Sequence, residues 1–440
     1  MSHDTLDGLL EWLHERNPHQ PEFIQAAEEI LEDSWELIAA SDEYRAKGVL
    51  ERLLEPDRVI SFKVTWEDDD GGIHVNRGFR VQTCNALGPY KGGLRFHPSV
   101  NESILKFLGL EQTLKNSLTG LQIGGAKGGS DFDPKPRSDR EIRRFCQSFM
   151  LELAHHIGPE TDVPAGDIGV GDREIGYLFG QYKRISRSFA GALTGKPVGF
   201  GGSALRTEAT GWGVVYFAQC ALARADGGLA GKRCLVSGAG NVARHCAEKL
   251  LEMDCTVLSL SDSRGALIVD SGIEREHLDG LEDSGGRLCE LADEFGLDYV
   301  KDAKPWQQAC DIAFPCATQN ELGGEDAEAL VGNGCRFVVE GANMPCDPRA
   351  IALFREEGVT VCPGKAANAG GVAVSTLEMA QNASFQSWSR DRVNEELREI
   401  MQGIHRRCIA KMEGGDNDYI RAANRAGMSR VAQALAAQGI

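Results

Sequence analysis

Apolar side chains recur at helical spacing at both ends of the chain. Near the start, one stripe is formed by Leu6, Leu9, Leu10 and Leu13. A second helical run opens at Pro21, a residue type that suits the first turn of a helix, and its apolar positions are Phe23, Ala27, Ile30, Leu31 and Ile38. The pattern from Leu377 onward also predicts helices.

After Pro56 the apolar pattern changes from the helical period to alternation. Residues 59–66 and 73–83 predict two strands, and the turn Asp69-Asp70-Gly71-Gly72 between them predicts a β-hairpin. A glycine- and lysine-rich stretch, residues 88–129, encloses one predicted helical segment around 104–115. The helix predicted at 140–156 has a Ser138-Asp139 cap with Glu141 behind it.

The second half of the chain alternates between helices and strands. Helices are predicted at 211–226 and 241–253, and strands at 232–237, 256–261, 311–315 and 337–340. Such alternation is typical of a parallel sheet. The loop-like segment 194–202, near the middle of the chain, is the best candidate for a hinge between domains.

The composition argues against several classes of protein, namely those that bind nucleic acid or associate with membranes. The 440 residues carry 47 basic and 65 acidic side chains, a formal net charge of −18, so we expect no nucleic-acid partner and no binding to anionic membranes. No apolar run approaches the ~20 residues that a membrane-spanning helix needs, and the first residues are too polar for a signal peptide. A cytoplasmic location is therefore expected.

The numbers and positions of the cysteines and glycines are also informative. The 13 cysteines are odd in number and form no CxxC pair, so we expect reduced thiols, no disulfide framework and no metal site. The 52 glycines lie in clusters, not in repeats, which raises the question of what ligand each cluster approaches.

One glycine cluster has the pattern of a phosphate-binding turn. The sequence Gly238-Ala239-Gly240-Asn241-Val242-Ala243 follows an apolar strand and opens a predicted helix, whose first N–H groups would face an anion. The acidic residue Asp262 falls at the end of the next strand, where a mononucleotide-binding unit needs it. The alternative is a glycine turn in an α/β unit that binds no ligand.

Three lysines lie in or beside the other glycine clusters: Lys91, Lys115 and Lys127. Three cations close together would bind a dicarboxylate and leave one lysine for chemistry, because burial and neighbouring cations lower a lysine pKa toward neutral. Each lysine also fits an ordinary solvated side chain. This alternative weighs more for Lys115, on a helix, than for Lys127, inside GGAKGG.

The segment 162–171, DVPAGDIGVG, is too glycine-rich for a core element and too apolar for an exposed loop. Asp167 within it fits two roles. It is either a proton donor or acceptor beside Lys127, or an Asx side chain that caps a turn. The sequence leaves both open.

Together these motifs resemble the glutamate dehydrogenase family in its hexameric bacterial form. The resemblance runs from Val59 to the C-terminus and rests on long, nearly identical stretches: GPYKGGLRFHPSVN, GGAKGGSDFDP, DVPAGDIGVG, PCATQNEL, EGANMP and PGKAANAGGVA. It implies an oxidoreductase that reversibly deaminates L-glutamate to 2-oxoglutarate and ammonium, with hydride passing to a nicotinamide coenzyme. It also implies a homo-oligomer, a hexamer.

The resemblance implies an α/β subunit of two domains. An N-terminal α/β domain, residues 1–199, would bind substrate and make the oligomer. A Rossmann-type doubly wound domain, 200–413, would bind the coenzyme. A C-terminal helical segment, 414–440, would pack back on the first domain.

Substrate and catalytic roles follow from matched positions. Lys91 matches the lysine that pairs with the substrate's side-chain carboxylate, and Ser375 the serine that assists it. Gln112 and Lys115 match the groups that hold the α-carboxylate. The resemblance implies that the chemistry is performed by Lys127, the catalytic lysine that activates water, and Asp167, the proton shuttle.

Two alternatives to this activity are weighed. In the related leucine, valine and phenylalanine dehydrogenases the positions of Lys91 and Ser375 are apolar, because an unpaired lysine beside an aliphatic side chain is costly. A catalytically idle dinucleotide-binding scaffold would be expected to lack Lys127 or Asp167. All four residues are present.

The coenzyme is the least settled point. The resemblance assigns the nicotinamide carboxamide to Thr210 and Asn241, and the rest of the coenzyme site to Gly238, Gly240, Val242 and Asn343. Asp262 alone would favour NAD by bonding the ribose 2′-hydroxyl. At four other positions the residues resemble those of NADP-specific relatives: Ser263, Arg264, Lys135 and Arg287. NADP is therefore expected, with NAD or dual use as the alternative.

Overall fold

A computed structural model describes residues 3, 5–225, 227–283, 285–412 and 417–439. The chain divides into two compact units. The first comprises Met1–Arg206, Val372–Val393 and Asn424–Ile440, and the second Thr207–Gly371 and Asn394–Ala423. The predicted domain limits at 199/200 and 413/414 stay predictions, and residues 413 and 414 lie outside the described residues.

The first unit combines helices with a five-stranded mixed sheet. Its helices are α1 Leu6–Arg16, α2 Pro21–Ala39, α3 Asp42–Ala46, α4 Val49–Leu54, α5 Glu102–Leu118, α6 Asp139–Leu153 and α7 Asp172–Ser186. Its strands are β1 Arg58–Glu67, β2 Ile73–Cys84, β3 Tyr90–Phe96, β4 Gly125–Ser130 and β5 Asp162–Gly166. A short 3₁₀ turn covers Val198–Phe200.

The second unit alternates helices and strands. Its helices are α8 Ala209–Ala225, α9 Asn241–Glu252, α10 Arg275–Asp283, α11 Leu288–Phe295, α12 Gly324–Gly332, α13 Pro348–Glu356 and α14 Gly364–Ala367. Its strands are β6 Arg233–Val236, β7 Thr256–Asp262, β8 Gly265–Ile268, β9 Asp298–Lys301, β10 Ile312–Phe314, β11 Phe337–Val339 and β12 Thr360–Cys362, with a 3₁₀ turn at Pro305–Gln307. Three last helices carry residues of both units: α15 Gly370–Ala383, α16 Arg390–Ile409 and α17 Tyr419–Gln438.

The first sheet has the strand order β1-β2-β4-β3-β5. The predicted hairpin is confirmed, because β1 and β2 pair antiparallel from Arg58↔Gln82 to Glu67↔Ile73. Strand β3 runs parallel to both β4 and β5, so the three glycine-rich strands lie side by side, with β5 at the edge of the sheet. Parallel strands end at the same edge, which gathers their polar residues there.

Two features of the first sheet differ from the sequence reading. Segment 162–171 is too glycine-rich by composition for a core element, and no strand was predicted within 88–129, yet β3, β4 and β5 are almost entirely buried. Close packing explains this. A Cβ at Gly92 would lie 1.7 Å from the carbonyl oxygen of Ala126, and one at Gly125 would lie 1.9 Å from Oγ1 of Thr113 on α5. Glycine is what lets strands and helix approach this closely.

The second sheet has the order β12-β11-β10-β6-β7-β8-β9. The parallel pairing predicted from strand–helix alternation is confirmed for β6, β7, β10, β11 and β12. Strand β8, however, turns back antiparallel to β7 through a two-residue loop, Ser263-Arg264. With that reversal, β8-β7-β6-β10-β11-β12 follows the Rossmann order, and the ligand-binding crevice of such sheets lies where the order changes direction, beside β6 and β10.

The end of the chain packs within the first unit, as expected. Met428, Val431 and Leu435 of α17 belong to one apolar core with the N-terminal helices and with Leu110 and Leu114 of α5. The guanidinium of Arg430 donates to the carbonyl oxygen of Ser117 at 2.7 Å. Helix α5, which carries two predicted site residues, is therefore fixed by both ends of the chain.

Candidate active site

Lys91 of β3 is buried in the first unit, with only 1% of its surface exposed. Its Nζ donates to the carbonyl oxygen of Val163 at 3.0 Å and to Oγ1 of Thr194 at 2.6 Å. Thr194 Oγ1 in turn lies 2.5 Å from Oγ of Ser375 on α15. The structure thus brings Lys91 and Ser375 together, through a threonine that sequence reasoning had assigned only to a hinge.

The partners of the Lys91 ammonium are neutral. Within the described residues no carboxylate oxygen lies within 4.0 Å of its Nζ. Burial therefore holds the pKa of Lys91 well below its ordinary value, and the charge of Glu378 opposes this only in part. A buried ammonium without a counterion is stabilised by an anionic ligand.

Lys127 and Asp167 form the second group of the site. Lys127 Nζ lies 3.2 Å from Oδ2 of Asp167, and Nε of Arg95 donates to the same oxygen at 3.0 Å. Burial lowers the pKa of Lys127, with Asp167 opposing. Burial also acts to raise the pKa of Asp167, but Lys127 and Arg95 together hold it below its ordinary value. The Asp167 carboxylate thus lies beside Lys127, as the first of its two possible roles requires, and its part in proton transfer stays a prediction.

Lys115 and Gln112 lie on α5. Burial, followed by the charge of Lys127, lowers the pKa of Lys115 to about 8, so this lysine is not an ordinary solvated side chain. Gln112 donates from Nε2 to Oδ1 of Asn116 at 2.7 Å. A Cβ at Gly92 would lie 3.3 Å from Cγ of Gln112, which places the glutamine directly against β3.

A buried ion pair supports the sheet under this site. The guanidinium of Arg80 donates to both carboxylate oxygens of Asp162, and it also donates to the carbonyl oxygen of Gly92 at 3.2 Å. Nε2 of Gln82 donates to the same carboxylate at 2.9 Å. These contacts join β2, β3 and β5, and they fix the backbone next to Lys91.

A second buried ion pair fixes the loop that carries Thr194. Lys196 Nζ lies 2.6 Å from Oε1 of Glu378, and the N–H of Gly195 donates to Oε2 at 2.9 Å. Glu378 lies one helical turn after Ser375 on α15. The predicted hinge segment 194–202 thus begins with buried residues of the first unit, and the units divide after Arg206.

Arg206 is a further cation of the first unit. Its Nε is buried and has no hydrogen-bond partner among the described residues. Burial lowers its pKa, and its charge in turn lowers the pKa values of Lys91 and Lys115. Arg206 therefore adds to the positive potential around the lysines.

In the second unit, the phosphate-binding turn has the expected geometry. Gly238, two residues after β6, has a positive φ of 92°, and Gly240 caps α9 with no described atom within 4 Å of the space that a Cβ would occupy. The small side chain of Ala243 lies 3.1 Å from the position of a Gly238 Cβ. Asn241 is exposed and Val242 half-buried at the open N-terminus of α9. The residues fit a bound pyrophosphate.

Asp262 is engaged by its own hairpin. Its Oδ1 accepts from the N–H of Arg264 at 2.8 Å, from the N–H of Gly265 at 3.1 Å and from the hydroxyl of Tyr299 at 2.9 Å. Burial, followed by the bond to Asp262, raises the pKa of Tyr299 to about 12, so its hydroxyl stays a donor at neutral pH. Sequence reasoning did not identify Tyr299, because a tyrosine on a short edge strand carries no local signal.

The other predicted coenzyme residues are distributed as follows. Ser263 and Arg264 form the exposed loop of the β7–β8 hairpin. Arg287 is exposed and pairs with Glu290 at 2.6 Å. The remaining three are half-buried Thr210 on α8, exposed Asn343, whose Oδ1 accepts from Asn368, and exposed Lys135, which belongs to the first unit.

Arg95 could have been found from the sequence. Lys91, Gly93 and Arg95 are spaced by two residues on β3, and side chains at this spacing share one face of a strand. A Cβ at Gly93 would lie 2.8 Å from Cβ of Asp167 and 3.3 Å from Nζ of Lys127. The glycine therefore leaves room for the pair that Arg95 helps to hold.

Family models match both halves of the chain. The Glu/Leu/Phe/Val dehydrogenase dimerisation domain matches residues 56–184, and the Glutamate/Leucine/Phenylalanine/Valine dehydrogenase model matches residues 201–439. The chain belongs to this dehydrogenase family. The phosphate-binding turn and the lysine cluster accordingly lie in the two halves that the family models cover.

Individual relatives are similar over their whole length. An NADP-specific glutamate dehydrogenase from Psychrobacter sp. is 52% identical over 445 residues, covering 99% of each chain. An NAD(P)-specific glutamate dehydrogenase from Xylanibacter ruminicola is 50% identical, covering 98% of this chain and 99% of the relative. The crystal structure of Plasmodium falciparum glutamate dehydrogenase superposes with a TM-score of 0.96 at 50% identity, covering 99% of this chain and 94% of the other.

The described residues contain neither a metal-binding cluster nor a membrane-spanning helix. No group of three or more His, Cys, Asp or Glu side chains in the described part of the chain has an arrangement that would hold a metal ion. Among the helices of those residues, none combines the length and hydropathy that crossing a bilayer requires.

Proposed function

We propose that this protein catalyses the reversible oxidative deamination of L-glutamate, in which glutamate, water and NADP⁺ give 2-oxoglutarate, ammonium, NADPH and a proton. The observation that carries the proposal is the buried Lys91 ammonium, whose hydrogen-bond partners among the described residues are both neutral. A substrate that ends in a second carboxylate would supply the missing counterion. An aliphatic side chain would leave the charge unpaired, which disfavours leucine, valine or phenylalanine as substrate.

Substrate would be held at both ends by this chain's own residues. Lys91 would bind the side-chain carboxylate, with Ser375 assisting through Thr194. Lys115 and Gln112 would bind the α-carboxylate, since Lys115 is still largely protonated at neutral pH with a pKa of about 8. Holding both carboxylates fixes the Cα–H bond in one orientation for hydride transfer.

Lys127 and Asp167 would move the protons. Burial lowers the pKa of Lys127, which favours release of its proton, and Lys127 would serve as the base that activates water. Asp167 is held ionised by Lys127 and Arg95, so it can accept a proton from the substrate's ammonium group and return it. An intact pair is not what an idle dinucleotide-binding scaffold would retain.

The coenzyme would bind to the second unit. Gly238, Gly240 and the N-terminus of α9 would hold the pyrophosphate. Thr210 and Asn241 would hold the nicotinamide carboxamide, and Val242 and Asn343 would belong to the rest of the coenzyme site. When bound, the nicotinamide ring supplies the hydride acceptor. Ser263 and Arg264, together with Arg287 and Lys135, would hold the 2′-phosphate of NADP, while Asp262 is engaged by its hairpin.

We further propose a cytoplasmic homo-hexamer. The match to a dimerisation domain over residues 56–184 supports assembly, and closed symmetry is the rule for such oligomers. Light scattering should return roughly six times the 47.7 kDa chain mass. A stable monomer at working concentrations would contradict the assembly.

The decisive experiment removes each member of the chemical pair. Lys127→Ala and Asp167→Asn should each lower kcat for glutamate oxidation by at least ~10²-fold, while coenzyme affinity measured by fluorescence stays near the wild-type value. Lys183→Ala, on the exposed face of α7, is the matched lysine control and should change neither. A pair variant that keeps most of its turnover would refute these roles.

Coenzyme choice is tested separately, by kcat/KM for NADP and NAD. Arg264→Ala and Arg287→Ala should each raise KM for NADP about tenfold and leave KM for NAD nearly unchanged, because a charge-assisted contact to a phosphate is lost. Equal or better use of NAD by the wild type would show that Asp262 decides the preference.

A further inference from the structure

Tyr299 lies beside the hairpin that would meet the adenosine ribose. Its strand, β9, pairs antiparallel with β8, and Tyr299 faces Leu267 in that register. A Cβ at Gly265 would lie 2.9 Å from both Cζ and Oη of Tyr299, so the phenol ring crosses directly over this glycine. Only glycine at 265 leaves room for the hydroxyl to reach Asp262 Oδ1 at 2.9 Å.

The Tyr299 hydroxyl is the last of three hydrogen-bond donors to Asp262 Oδ1. Two backbone N–H groups, of Arg264 and Gly265, already donate to Asp262 Oδ1, and Tyr299 is the third donor. An oxygen with three donors has little capacity left for a ribose hydroxyl. The other oxygen, Oδ2, lies 4.0 Å from the guanidinium of Arg264.

We propose that Tyr299 is a positioning residue that sets coenzyme preference by holding the Asp262 carboxylate toward the hairpin, which weakens both its acceptance of a hydrogen bond from a 2′-hydroxyl and its repulsion of a 2′-phosphate. The inference rests on the proposed NADP-dependent function. Asp262 would by itself favour NAD, and the cations favour NADP; the Tyr299 hydroxyl would tip this balance toward NADP.

The physical reason is compensation of charge. A free carboxylate at the end of β7 would repel a 2′-phosphate, which carries nearly two negative charges. Three donors on one oxygen offset part of that negative charge and also fix its direction. Arg264, whose N–H is one of those donors, then presents an exposed guanidinium from the same two-residue loop.

The test is Tyr299→Phe, which keeps the ring over Gly265 and removes only the hydroxyl. Equilibrium dissociation constants are measured by fluorescence without turnover. The constant for NADPH should rise, because the freed carboxylate repels the 2′-phosphate, and the constant for NADH should fall. We expect the ratio of the NADH constant to the NADPH constant to fall about tenfold, as for loss of one hydrogen bond to a charged group. Tyr177→Phe removes a similar exposed bond, to Asp139 at 2.6 Å, and should leave the ratio unchanged.

A double-mutant cycle separates positioning from general structure. In an Asp262→Asn background the charge is absent, so Tyr299→Phe should no longer move the ratio. If it moves the ratio equally in both backgrounds, or in neither, the inference is wrong. Melting curves of all four proteins identify any variant that fails to fold, and Tyr299→Leu then repeats the comparison.

The two proposals fail in different ways. A wild-type protein that binds NADH as tightly as NADPH would refute the NADP preference. The role of Tyr299 is judged only by the change that its removal causes in the ratio, whatever the wild-type value is.

Discussion

Two buried lysines of the first unit have opposite environments. Lys196 is paired with Glu378 at 2.6 Å, and the other oxygen of that carboxylate accepts from the N–H of Gly195. Lys91 is buried just as deeply, yet in the described part of the chain its ammonium contacts a carbonyl oxygen and a hydroxyl. Among those residues the first lysine has a counterion, and the second has none within 4.0 Å.

The difference separates a structural charge from a ligand-binding charge. Burial of an ion costs several kcal/mol unless a partner of opposite sign offsets it. For Lys196 the partner is permanent, and the pair connects α15 to the loop that carries Thr194. For Lys91 the offset would come from a substrate carboxylate, so this part of the first unit gives up stability that binding would restore.

Removing the paired lysine should have the largest effect. Lys196→Met leaves the Glu378 carboxylate buried without its cation, and the free energy of unfolding should fall by about 3–5 kcal/mol in urea titrations at fixed protein concentration. The double variant Lys196→Met with Glu378→Leu should recover much of this loss. A single variant as stable as wild type would mean that the pair contributes little.

Replacing the unpaired lysine should instead change substrate choice. Lys91→Leu with Ser375→Val should lower kcat/KM for glutamate by about 10²-fold, because a substrate carboxylate would be buried without a cation. Slight activity on norleucine or methionine should appear in the same assay. If the double variant still prefers glutamate, another cation, with Arg206 the nearest candidate, binds that carboxylate.

The same lysine should also show its cost in stability. Lys91→Met keeps the length of the side chain and removes the buried charge, so without ligand the free energy of unfolding should rise by about 1–2 kcal/mol. Glutarate should raise the melting temperature of the wild type and leave that of the variant unchanged. A variant less stable than wild type would indicate that the hydrogen bonds of Lys91 outweigh its desolvation.

The smallest effect concerns Lys115 and pH. Its pKa of about 8 means that its charge, present below that pH, is lost as pH rises. Glutarate affinity, measured as an inhibition constant, should therefore weaken by up to about tenfold between roughly pH 7 and 9. Lys115→Arg stays charged throughout and should flatten the profile. An identical profile in both proteins would assign the titration to another group.

The sequence predicted local structure wherever one segment carries its own signal. The hairpin of β1 and β2 follows from alternation around a DDGG turn, and the cap of α6 is present as a reciprocal pair between Ser138 and Glu141. The sequence also predicted the glycine turn before α9, because the strand, the turn and the helix follow one another along the chain. In each case the residues that interact lie close along the chain.

The sequence did not predict the glycine-rich strands of the first sheet, and the reason is physical. Strands β3, β4 and β5 contain glycines and lysines in place of branched apolar residues, because another backbone or helix α5 occupies the space of the missing side chains. That contact partner is distant in sequence. Composition alone therefore did not identify these segments as strands.

By itself the sequence determined which chemical groups are present: the lysines, the aspartate, the glycines of the turn before α9, and the arginines Arg264 and Arg287. Only the tertiary structure decided which charges are paired. It gave Lys196 a counterion 182 residues away in Glu378, placed Arg95 on Asp167, and bound Asp262 to Tyr299 on a strand 37 residues further along. Charge pairing and burial depend on distances through space, and a linear pattern of residues does not contain those distances.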